Sequence, residues 1–416
     1  METEIAAAWT LRRVGFGATS FDLDRAGSIG LDAFVDELFD PSSRGVPDDG
    51  DPWQGVDLPL RFESPRDIAP PIAAWLTRMA TASRPVSEWL AWYWHGHLVT
   101  SLTSVRSPLG LVNQIRLFRD LGRGPFAPLL RAITIDAAML RYLDGDRSTG
   151  TRPNENYSRE LLELFALGVG NYSEADVVAG ARALTGWTRP RGTVDSVLVA
   201  RRHDDSPQDY LGESGVNDVD SVIDAVTSHP ACARFIARSL AETILGAGVA
   251  VRVETAEAEA FANDGLDVAP LIRRLVERGL AGEHEPVVLA PVPWIVAAVR
   301  STDADLDLQN LAGILRSGGQ VPFLPPNVAG WPTGEAWLSS SAVVARLEAA
   351  RIIAEAAAAD GVALRAAEVG DLDDLARALG RPEGFSLSTS NALLAADVRG
   401  RTLLTLALST PDLVIA

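Results

Sequence analysis

The sequence contains no lysine; all 37 of its basic residues are arginine. A bias toward GC-rich codons is the plain cause, but the absence excludes chemistry whatever its origin. A Schiff base needs a lysine amine, so pyridoxal-phosphate and class I aldolase reactions are excluded for this chain. A standard phosphate-binding nucleotide loop needs its lysine and is excluded as well. There is a single cysteine, Cys232, set between Ala231 and Ala233. One thiol makes no intrachain disulfide and no multi-cysteine zinc or iron–sulfur site. Its apolar neighbours read as the surroundings of a buried, inert thiol. No apolar run reaches the ~18 residues of a membrane span.

Positive charge is also in deficit. The 55 acidic residues outnumber the arginines and leave a net charge of −18. Most of such a surface repels a phosphate backbone, so nucleic acid is not expected as a partner. The N-terminus, Met1-Glu2-Thr3-Glu4, is acidic where an export signal is basic. A cytoplasmic protein is expected from the sequence as it stands, although a trimmed, exported form would look the same.

What is present is helical. Hydrophobic residues make up 47% of 416 residues, enough for a large packed core. Ile72, Trp75, Leu76 and Met79 follow Pro70-Pro71 at i, i+3, i+4, i+7. Ser87 reads as the cap of a segment running to about Thr100. Val112, Ile115 and Phe118 mark another helix, and Phe126, Leu129, Leu130, Ile133 and Ala137 the next. Ser173 with Asp176 reads as a capping box. Further helices are predicted near 220–228, 231–246, 268–280, 291–300, 305–316, 341–358, 371–379 and 399–409. Val194 to Val199 is the one strand candidate. Residues 41–67, 186–220 and 317–341 read as loops, the last two ordered by their aromatic residues. The expected fold is all-α: a large multi-helix globular bundle with long ordered loops and at most a short β-hairpin. It is read as one unit over 1–416, divisible into helical halves at 1–188 and 221–416 around an irregular insert at 189–220.

Several segments form an ordered set: Leu11-Arg12-Arg13-Val14-Gly15-Phe16-Gly17, Trp94-His95-Gly96-His97-Leu98, and Asn154 through Phe165. Then come Ala183-Leu184-Thr185-Gly186-Trp187, His203-Asp204 with Leu211-Gly212, Pro325 through Pro332, and Ser409-Thr410-Pro411-Asp412-Leu413. Together they resemble the bacterial domain-of-unknown-function family 1800 over residues 9 to 416. The resemblance implies a partner, a sulfatase-like protein of the family numbered 1501, because the two are often encoded side by side. Three departures stand out: Gln208, Ser239 and Leu289 occupy positions where the family tends to carry lysine, so any role of those lysines is lost here.

The Asn154–Phe165 segment is the most informative. At ~100° per residue, Asn156, Glu160 and Glu163 share one helix face. Apolar residues surround the rest, so the helix is expected to be buried and its Asn156, Arg159, Glu160 and Glu163 to need partners. Glu160 and Glu163 at i, i+3 stand ~5–6 Å apart and repel unless a cation lies between them. Arg159, an arginine from elsewhere or a metal could supply it. One reading is a structural Arg–Glu network; the other is a catalytic pair with Arg159 and Asn156 in support. His95 and His97 lie ~200° apart in an unbroken helix and converge on a metal only if Gly96 breaks it. His203 and Asp204 in a polar loop suit metal binding or proton transfer, or else an ordinary turn. Asn327, Trp331 and Trp337 on a proline-stiffened loop either offer flat faces to a ligand or pack into the body.

Two functions follow. One is an enzyme with a buried His/carboxylate site, a metal-assisted hydrolase or oxidase on an unknown, glycan-like substrate. Its metal, a divalent zinc, iron or manganese, would be held by His95, His97, His203 and Asp204. The other is a non-catalytic binding or assembly protein whose Arg/Glu/His network is structural.

Overall fold

The computed structural model describes residues 2–40, 49–306 and 308–416. Of the loop expected over 41–67, residues 41–48 lie outside the described residues. Helices dominate the rest, and their buried faces meet in a hydrophobic core that runs from Trp9 to Val414.

The periodic segments form helices at Ala69–Thr81, Pro85–His97, Pro108–Leu121, Phe126–Thr134 and Ala137–Tyr142. Pro85 rather than Ser87 opens the second of these, because proline at the first helical position lacks only an N–H that would be unpaired anyway. The predicted box at Ser173 is present, with the Ser173 hydroxyl accepting from the Asp176 N–H and the Asp176 carboxylate from the Ser173 N–H. The sequence reading missed the 17-residue helix Ala247–Asn263, which forms a tight antiparallel hairpin with Pro230–Leu245. Its buried face, Val249, Ala250, Val253, Ala258 and Phe261, is made largely of small residues and so gives a weak hydrophobic stripe.

Strand content is slightly richer than expected. Trp187–Thr188 pairs antiparallel with Val197–Leu198, inside the predicted arm. Gln208–Tyr210 pairs with Glu213–Val216, a hairpin read from sequence as loop. Among the described residues no helix is long and apolar enough to cross a membrane.

Arginines carry much of the polar bonding inside the protein. Arg13 donates to the carbonyls of Ile244, Glu285 and Ala416, tying the N-terminal helix to the far end of the chain. Arg346 bonds the carbonyls of Trp337 and Leu289. Buried Glu257 sits between Arg274 and Arg278. The five-donor guanidinium can serve several acceptors from one buried position, which a lysine ammonium does less well.

Candidate functional site

The Pro85–His97 helix is continuous through Gly96, so His95 and His97 leave it on different sides. The Nε2 of His95 accepts the Phe323 N–H at 3.0 Å inside a cage of Trp75, Trp92, Phe323 and Trp331. Burial lowers its pKa to about 3, so the ring is neutral. His97 stacks on Tyr93 and bonds through Nε2 to the Phe165 carbonyl at 2.9 Å. A carbonyl only accepts, so this nitrogen carries the proton. Burial lowers the pKa of His97 to about 4, against the raising effect of that bond.

The carboxylate helix departs from expectation. It runs as α-helix over Glu155–Glu160 and widens into a π-helical turn over Leu161–Ala166. It is not buried all round: Asn156 is exposed, and Arg159, Glu160 and Glu163 are half-buried at the surface. Its apolar sides serve the core, and the polar edge meets water. Arg159 does not bridge Glu163. It forks onto Glu174, with Glu155 as a second partner. Glu163 accepts instead from the Tyr172 hydroxyl at 2.9 Å. Partial burial, with the Glu163 carboxylate beside it, raises the pKa of Glu160. The two glutamates therefore are neighbours, but no histidine joins them.

The Pro325–Trp337 strap lies against the histidine helix. Gly330, at φ +85°, presses so close that a Cβ there would stand 2.6 Å from the Gly96 carbonyl oxygen. Trp331 is buried and stacks on Trp92 with ring centroids 5.2 Å apart. Trp337 is buried too and donates to the Pro332 carbonyl. Neither offers an open face to a ligand. Asn327 is exposed and accepts the Ala329 N–H with its own side chain, closing a turn.

His203 and Asp204 are placed differently. The 201–205 segment runs between two others. On one side the Gly150 N–H bonds the Arg202 carbonyl at 2.7 Å. On the other, Gly186 at φ +92° comes so near that a Cβ would meet the Cβ of His203 at 2.8 Å. Thr149, Gly150, Thr151, Arg201, Arg202, His203, Asp204 and Asp205 together line an open groove of about 420 Å³. His203 Nδ1 lies 2.9 Å from the Thr185 carbonyl and must donate to it. Asp204 accepts from Arg182 at 2.8 Å and from Ser206, and these partners hold its carboxyl below the usual range. Thr185 also accepts the Asp204 N–H through its hydroxyl.

The expected metal constellation is not assembled. His95, His97 and the His203-Asp204 pair sit in three different surroundings. Among the described residues no group of three or more His, Cys, Asp or Glu side chains is placed to hold a metal ion. What the sequence reading missed is the 149–151 turn, which only chain pairing brings to His203, and Arg201-Arg202, its immediate neighbours in the chain. The signal within reach was the adjacency of Arg201-Arg202 to the His203-Asp204 pair.

Fold and groove define a large, mostly helical protein with a solvent-open polar groove built from loop segments. Within that class, the chain belongs to the family described as protein of unknown function (DUF1800), whose model matches residues 9–414. No curated protein and no solved structure matches the chain.

Proposed function

We propose that the protein is a hydrolase working in the groove between the 149–151 turn and the 201–205 segment, with His203 as its general base. The observation that carries this is the bond from His203 Nδ1 to the Thr185 carbonyl. With Nδ1 donating there, the uncharged ring has its lone pair on Nε2, on a residue that lines the groove. Nε2 takes a proton from water as the oxygen attacks the substrate, and the imidazolium returns that proton to the leaving group. Thr185 holds the ring at the required orientation, as a backbone carbonyl often does behind a working histidine. Polar groove walls favour a hydrophilic, glycan-like or esterified substrate over an apolar one.

His203→Asn is the decisive variant. Asparagine keeps a donor near the Nδ1 position for Thr185 and removes the Nε2 base. Hydrolysis of a panel of carboxylic, phosphoric and sulfuric esters and glycosides is expected to fall by about 100-fold or more in H203N, with unchanged circular dichroism. The same panel run with added zinc, iron or manganese, and with chelator, separates a metal-assisted reaction from simple base catalysis. Full activity of H203N, or no turnover of any class by the unaltered protein, would sink the proposal.

A second reading is a binding or assembly protein. It is favoured by the use of His95 and His97 as joints between segments rather than as reactive groups. Under it, the sulfatase-like partner implied by the family resemblance would dock on this chain, and a stable complex without turnover would be the outcome.

A further inference from the structure

Most arginines of this acidic chain are already engaged. Arg12, Arg119, Arg182, Arg189, Arg274 and Arg300 are ion-paired, and Arg13 and Arg346 are spent on carbonyls. The groove is an exception. Among the described residues the guanidinium of Arg201 has no ion pair or hydrogen bond, and it lines the groove from an exposed position. Arg202 donates from one terminal nitrogen to the Asp146 carbonyl at 3.2 Å, while its Nε–H is buried without a partner. Arg152, which closes the 149–152 turn by a backbone bridge to Thr149, is exposed and equally unpaired.

The nearby carboxylates do not cancel these charges. Asp146 pairs with Arg189, and Asp204 pairs with Arg182. Among the described residues that leaves Asp205 as the one lining carboxylate outside an ion pair, against Arg201 and Arg202. A local excess of guanidinium on a chain of net charge −18 is the reverse of its general surface. The exposed guanidinium of Arg201, without a protein acceptor among the described residues, keeps its N–H donors for a ligand in the groove. Guanidinium groups match planar or tetrahedral oxyanions better than they match neutral hydroxyls.

We infer that the groove takes an oxyanion group of the ligand, a carboxylate, phosphate or sulfate, between Arg201, Arg202 and the 149–151 turn. This rests on the reading of the groove as the working site and specifies what it works on: a polar substrate carrying a negative group beside the bond that His203 helps to break. Thr149 and Thr151, whose hydroxyls lie 3.3 Å apart, are further donors at the same wall.

The test is calorimetric titration of the whole protein at pH 7 with inorganic phosphate, sulfate, acetate and uncharged glucose. Saturable binding of at least one anion, weakened by added sodium chloride, and none of glucose are expected; the strongest of the three anions identifies the ligand group. Arg201→Gln, at an exposed position whose side chain has no partner among the described residues, is expected to weaken that anion at least tenfold, and Arg202→Gln likewise. Arg365→Gln, at an exposed arginine outside the groove lining that has no partner among the described residues, should leave binding unchanged. The titration is repeated on H203N, which retains anion binding if the arginines carry it. Anion binding intact in H203N but no hydrolysis by any form would refute the hydrolase reading and leave this inference standing. No saturable anion binding by the unaltered protein, or binding equally weakened in R365Q and R201Q, would overturn it.

Discussion

His97 donates its Nε2 proton to the carbonyl oxygen of Phe165 across 2.9 Å. Two segments that looked like a metal ligand and a catalytic helix therefore meet as donor and acceptor. Phe165 lies near the C-terminal end of its helix, where carbonyls have no intrahelical partner. The imidazole supplies that partner and locks the π-helical turn against the Pro85–His97 helix.

Removing the donor should cost stability. His97→Phe keeps an aromatic ring against Tyr93 but leaves the Phe165 carbonyl unpaired, and should lose about 1–3 kcal/mol. His97→Gln places an amide N–H near the Nε2 position and should lose less. Urea unfolding of both variants checks this. Equal stability of H97F and the unaltered protein would show that the bond contributes nothing.

Acid should destabilise the protein through the same histidines. The folded pKa values of about 3 for His95 and about 4 for His97 lie below the ordinary unfolded value. Their full stabilisation is present above that unfolded value. It is lost as pH falls toward the folded values, at about 1.4 kcal/mol per pH unit for each ring. Asp136 works in the opposite sense. Burial raises its pKa to about 6, so its charged form opposes folding above that pH, and protonation relieves the cost as pH falls. Asp136→Asn, which keeps an acceptor for the Met139 N–H, should therefore gain stability at pH 7 relative to pH 4 by about 2–3 kcal/mol compared with the unaltered protein. H97Q should show a shallower loss between pH 6 and 4. Denaturation curves across that range, parallel for all three proteins, would contradict the assignment.

Gly330→Ala should destabilise the strap by more than its conformation alone explains. Position 330 has φ +85°, and the new Cβ would approach the Gly96 carbonyl oxygen at 2.6 Å. Gly334 has φ +59° with open space around it, so Gly334→Ala carries the strain without the clash. A cost of about 1 kcal/mol is expected at 334 and clearly more at 330. Thermal melts of the two variants distinguish the terms. If they fall equally, the contact with Gly96 is loose.

By itself the sequence determined the all-helical class, most helix positions, the capping box at Ser173 and the chemistry that a lysine-free, single-cysteine chain cannot perform. These are local matters: periodicity, caps and residue type act over a few positions, and a reader of the chain has all of them in view. The weak stripe of Ala247–Asn263 marks where local signal fades, since small residues pack well only against a neighbour the sequence does not show.

Of the candidate site, His203 and Asp204 were legible in the sequence, but their surroundings lay beyond that reach. Nothing in Asn154–Phe165 says that Arg159 reaches Glu174 rather than Glu163, because an arginine's partner is whatever acceptor the fold brings alongside. Nothing in Trp331 or Trp337 says that both rings turn inward. Only the tertiary structure decided which ring nitrogens are consumed: Nε2 of His95 by Phe323, Nε2 of His97 by Phe165, and Nδ1 of His203 by Thr185. Those bonds join residues distant in the chain, and a reader of the sequence alone has no view of them.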